Sequence, residues 1–86
     1  MLNSGEELGP ISKLLFSIVK EIVDNPNEVE ISEKMGDQTL VIFVATAKSD
    51  IGKVIGKKGW MAEALRTIMK AMAGKTGSRV VLELES

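Results

Sequence analysis

The chemistry this sequence offers is concentrated in nine residues past its midpoint, Ile51-Gly52-Lys53-Val54-Ile55-Gly56-Lys57-Lys58-Gly59. Gly56 and Gly59 bracket two lysines. Lacking Cβ atoms, they let backbone amides approach a phosphate oxygen. A helix beginning near Trp60 points its unpaired N–H groups and the positive end of its dipole at the same place. Lys57 and Lys58 add charge without selecting a base. The spacing of Gly52, Gly56 and Gly59 fits neither G-x-x-x-x-G-K-[ST] nor G-x-G-x-x-G, so no P-loop or dinucleotide fingerprint is present. A bare G-x-x-G is equally satisfied by a tight corner between two helices, with glycine for sterics and lysine for solubility.

Several neighbours could extend such a site. Lys53 lies on the side of its helix opposite Ile51 and Val54 and could reach phosphate. Arg66 could do the same, or bridge to Glu63 across one turn. Val54 and Ile55 are either aliphatic groove walls or core. Trp60 is open to three readings: a platform for a base, a contact within a dimer, or partial burial against Leu or Met neighbours. Phe16 and Phe43 are expected in the core, as are Met61 and Met72.

No catalytic residue, metal site, cofactor or small-molecule substrate is expected. The chain has no Cys and no His, which removes disulfides, thiolate ligands and the commonest general base. Its carboxylates pair with no nucleophile or metal-ligand spacing, so an enzyme is disfavoured. No apolar run approaches the ~18 residues needed to span a membrane, and the start lacks a signal-like pattern. A cytoplasmic protein without a membrane partner is the expectation.

The net charge of −1 over 86 residues hides a dipole. Residues 1–47 hold three basic against eight acidic residues, 48–79 hold eight against two, and the tail adds Glu83 and Glu85. Binding follows the local field, so a basic second half suits an anionic partner although the total is acidic. A solvated basic face is the plainer reading. A core this small also makes self-association a live option.

The elements that must position the loop follow from periodicity. Residues 1–9 carry no period and read as a leader ahead of one domain over 10–86. Pro10 opens a helix whose apolar residues Ile11, Leu14, Leu15, Ile18, Val19 and Ile22 share a face, and which Asp24-Asn25-Pro26 closes by about Val23. Val29 and Ile31 alternate with polar residues as a strand. Lys34-Met35-Gly36-Asp37 reads as a hairpin turn. Thr39 to Ala45, apolar on both sides, reads as the middle strand, covered on both faces by helices and a partner. Ser49 or Asp50 can cap a short helix with Ile51, Val54 and Ile55. A second runs from Trp60 to Ala73 with Met61, Ala64, Leu65, Ile68 and Met72 on one face, and Val80 to Leu84 form the last strand. The order is α-β-β-α-α-β, an α+β fold.

That order and the I-G-x-x-G stretch from Ile51 to Gly59 resemble type II KH domains, in particular the small bacterial proteins made of one KH domain. Val23-Asp24-Asn25-Pro26, the helix end from Ile68 to Ala73 and the strand at Arg79-Val80-Val81 are similar too. The resemblance spans about Ile11 to Leu84. It implies a three-stranded mixed sheet packed against three helices, with the Thr39 and Arg79 strands parallel and the first strand antiparallel outside. It also implies single-stranded RNA in a groove beside the loop, about four nucleotides clamped at Gly56 to Gly59. Roles in RNA chaperoning, cell shape and division, a homodimer, and a larger KH-containing partner are implied likewise. The family usually carries a basic or small polar residue where Trp60 stands. The competing reading is a protein-interaction or dimerisation adaptor with the same fold and little RNA binding.

Overall fold

The computed structural model describes residues 8–86. Helix α1 spans Pro10–Ile22, and Pro10 supplies a preset φ where its missing N–H is harmless. Leu15 and Val19 are fully buried, while Leu14 is 40% exposed. The helix stops at Val23, whose backbone is extended while its N–H still bonds the Val19 carbonyl. A 3₁₀ turn at Pro26–Glu28 leads to strand β1, Glu30–Gly36.

The turn to β2, Thr39–Ala45, differs from the expected one. Gly36 pairs with Thr39 inside the ladder, and Asp37 and Gln38 alone make the connection. Both have positive φ, 48° and 65°. Two-residue hairpin loops favour such turns because their twist matches that of the flanking strands. Lys34 and Met35 therefore belong to the strand.

The sheet order is β1-β2-β3, with β1 antiparallel to β2. β3, Arg79–Glu85, lies parallel to β2 in register from Thr39↔Arg79 to Ala45↔Glu85. Between β2 and β3 run α2, Ile51–Ile55, a 3₁₀ turn at Lys57–Gly59, and α3, Trp60–Gly74. This α+β arrangement of a three-stranded mixed sheet and three helices is that of a type II KH domain. Leu40, Ile42 and Val44 alternate with less buried neighbours along β2. Together with Ile31 and Leu82 they form the sheet's contribution to the core, each such side chain worth roughly 1.5–3 kcal/mol.

Of the two covers expected for β2, the described residues supply the helices, on one face. Val41 and Phe43 are half-buried and Val81 is 41% exposed on the outer face, because the helices pack on the other side. Phe43 is therefore a surface aromatic, whereas Phe16 packs against the core with Lys20 Nζ 4.8 Å from its ring centre. The buried face of α3 is also turned from the expected one. Ala62, Leu65, Met69 and Ala73 are buried, Met72 packs at the core's edge, and Met61 and Ile68 are exposed. Apolar residues occupy more than half of this helix's circumference, so periodicity alone leaves the phase open.

The leader expected over 1–9 falls mostly outside the described residues. Leu8 and Gly9 are described, and they are tied down. Leu8 joins the core, the Gly9 N–H donates to the Glu33 carboxylate at 3.0 Å, and the Ser12 hydroxyl donates to the same group. Among the described residues no helix is long and apolar enough to cross a membrane.

Candidate nucleic-acid interface

One turn and a half of helix carries the glycine loop, and α2 is too short to hold itself in place. Asp50 anchors its start. That side chain does not cap α2, as the sequence allowed. It is buried, and its carboxylate accepts hydrogen bonds from the Asp24 N–H (3.2 Å), the Asn25 N–H (3.0 Å) and the Asn25 side-chain amide (3.0 Å). Burial pushes the carboxyl pKa up. The Asn25 side chain, the two amides and the Lys53 charge outweigh that and hold it below its ordinary value. The end of α1 and the start of α2 are thereby latched together. Val54, fully buried, pins the helix from below.

At its other end α2 runs into Gly56, with φ 78° and ψ 171°, a region essentially closed to other residues. A Cβ there would lie 2.7 Å from the Met61 Cβ and 2.8 Å from the Met61 nitrogen. The chain must therefore pass close under α3. Lys58 is left-handed (φ 57°, ψ 20°), as is Gly59 (φ 78°, ψ 11°). The Gly59 N–H bonds the Gly56 carbonyl at 3.0 Å and the Trp60 N–H bonds the Lys57 carbonyl. The amides of Lys57 and Lys58 take no partner among the described residues. Both lysine side chains are exposed. Two N–H groups without a partner and two exposed ammonium groups thus sit on one turn, an arrangement suited to a phosphate.

Beside this turn lies an open cleft of ≈ 350 Å³, floored by α3 and walled by β3. Ile55, Lys58, Gly59, Ala62, Glu63, Arg66, Glu83 and Leu84 line it. It shares Arg66 and Glu83 with a second hollow of ≈ 260 Å³ that runs on along Met69, Lys70 and Val80 to Leu82. Among the described residues β3 is an edge strand, paired with β2 alone. Arg66 spans the cleft, its Nη2 donating to the Leu82 carbonyl at 3.3 Å while Nη1 lies 3.6 Å from Glu63.

Of the residues singled out from sequence, Gly56, Lys57, Lys58 and Gly59 form the turn, and Ile55 and Arg66 reach the cleft. Val54 does not: it is core, and the aliphatic wall is Ile55, 40% exposed. Lys53 is paired with Asp24 at 3.3 Å rather than turned to the loop. Trp60, 64% exposed, escapes the burial reading and stands beside Lys58. Sequence reasoning missed Ala62, Glu63 and the edge of β3. The first two share a helical face with Gly59 and Arg66, a signal that becomes readable only once that face is known. The β3 edge is decided by topology.

Comparison with known proteins agrees with this fold. The family described as KhpA/KhpB, KH domain, matches residues 12–84. The RNA-binding protein KhpA of Clostridium acetobutylicum is 46% identical over 74 residues, covering 86% of this chain and 99% of that protein. KhpA of Aquifex aeolicus is 49% identical over 65 residues (76% and 82%), and that of Borreliella burgdorferi 38% over 79 residues (92% and 96%). No solved structure gives a significant match.

Proposed function

The chain belongs to the KhpA/KhpB family of KH domains, and from that premise we propose that it is a non-enzymatic, single-stranded RNA-binding protein. The observation that carries this reading is the outward-facing turn from Gly56 to Gly59 at the mouth of the cleft. Phosphates of about four nucleotides lie on that turn, held by its free amides and by Lys57 and Lys58. Bases enter the cleft against Ile55, with Arg66 between them and the β3 edge. Lys53 and Val54 serve by fixing α2. With a single Arg and no aromatic lining the cleft, affinity is modest and sequence preference low.

Within this reading the protein is an RNA chaperone or post-transcriptional regulator connected with cell shape and division, as its resemblance to single-KH-domain proteins implies. It works in the cytoplasm without a membrane, small-molecule substrate or cofactor. It pairs with itself and with a larger KH-containing protein. Self-association has some support in Met61 and Ile68, apolar yet exposed on α3. Those two side chains also favour the second reading, a dimerisation adaptor.

The test is fluorescence anisotropy of a labelled short single-stranded RNA at two salt concentrations. Both lysines are exposed, so a Lys57→Asp, Lys58→Asp variant should keep wild-type stability to within about 0.5 kcal/mol. It should lose more than about 10-fold in affinity, with a flatter salt dependence. Binding indifferent to the variant would reduce the turn to a structural corner and leave the adaptor.

A further inference from the structure

Trp60 is the chain's one tryptophan. Although large and apolar, it is 64% exposed, at the first residue of α3. It does not line the cleft. Lys58 does, and its Nζ lies 5.8 Å from the centre of the indole. One side chain therefore lines the cleft mouth and lies beside the aromatic ring. A phosphate seated on Lys58 would bring the adjoining nucleotide within reach of the indole.

We propose that Trp60 is a base-stacking subsite outside the groove, extending the RNA footprint by one nucleotide beyond those held at the turn. The proposal rests on the loop-centred RNA binding given above. Every base has a π-face, so the subsite adds affinity with little sequence selection, and purines gain somewhat more through larger overlap. The cation beside the ring orients it before RNA arrives. The surroundings distinguish a base from a protein partner. The indole stands next to the exposed Lys58, a residue type depleted from protein interfaces and attractive to phosphate.

The single tryptophan makes the test direct. The full chain is titrated with an oligoadenylate of about eight nucleotides, enough to fill the groove and overhang it. Intrinsic fluorescence is followed in one series and anisotropy of the labelled RNA in another. Wild type, Trp60→Ala and Trp60→Phe are compared, each checked for mass by sedimentation. Binding should quench the tryptophan, Trp60→Ala should weaken binding about 5- to 150-fold, and Trp60→Phe should recover part of the loss at unchanged mass. Anisotropy that reports tight binding without quenching, with Trp60→Ala equal to wild type, overturns the subsite and leaves the loop reading standing. A Trp60→Ala variant that changes mass but not RNA affinity assigns the indole to a protein contact and overturns it too. Wild type that binds no RNA overturns both.

Discussion

The two ends of α2 are built on opposite plans. At its start, polar groups close on one another: the Asp50 carboxylate is buried and takes three donors from Asp24 and Asn25, just past the end of α1. At its finish, polar groups stay open: among the described residues the amides of Lys57 and Lys58 take no partner, and their side chains are exposed on a turn shaped by two glycines. Both ends are rich in charge, so charge alone does not separate them. The difference lies in unspent hydrogen-bonding capacity. A buried group left unsatisfied is costly, so the inner end is fully paired. An exposed one waits in water at little cost, and a ligand can replace that water. In the reading proposed above the unpaired end takes the RNA, and the paired end holds it still.

Substitutions at the two ends should therefore act on different observables. The largest expected effect is that of Gly56→Ala, which combines a backbone region closed to alanine with a Cβ 2.7 Å from Met61. Urea unfolding should report a loss of roughly 2–4 kcal/mol, with RNA binding lost as α2 and α3 shift apart. A stable, fully binding variant would show that the loop does not need its close pass under α3.

Next is Asp50→Asn, which removes a carboxylate held below its ordinary pKa. Such a group stabilises fully above the unfolded value of 3.8 and loses that contribution as pH falls through its folded value. The variant should thus unfold at lower urea than wild type at pH 7, and the gap should narrow as pH falls below about 4. A gap constant with pH would assign the loss to packing rather than to the charge.

Gly59→Ala sharpens the contrast between the loop's two glycines. Gly59 is left-handed, but an added Cβ meets nothing within 4 Å. The stability cost is the conformational one, about 1–2 kcal/mol, and RNA affinity should fall further than stability, since the new methyl projects where a phosphate would rest. Smallest is Lys53→Ala. The Lys53–Asp24 pair is exposed, worth at most about 1 kcal/mol, and RNA affinity measured by anisotropy should be unchanged. A Lys53→Ala variant with a flatter salt dependence would move Lys53 from the closed end to the open one.

Much of this was legible before folding. The α-β-β-α-α-β order, the parallel placement of β2 and β3, and the glycine turn follow from periodicity, turn residues and family resemblance. Three features were not. Val54 and Ile55 are adjacent and aliphatic, the sequence favoured the core for Ile55 and left Val54 open, and only the packing of α2 sends Val54 inward and Ile55 into the cleft. Asp50 reads locally as a helix cap, yet its partners lie some 25 residues away in sequence. Met61 and Ile68 satisfy the same helical spacing as the residues that are buried instead.

Sequence by itself determined what is local: which segments become helix or strand, and where the chain must turn through conformations that favour glycine. Those choices depend on backbone sterics and on side-chain spacing within a few residues. Tertiary structure alone decided which apolar faces were covered, which carboxylate was consumed by a latch, and that the edge of β3 would border the glycine turn. Those outcomes depend on contacts between residues far apart in sequence, and no local pattern encodes them.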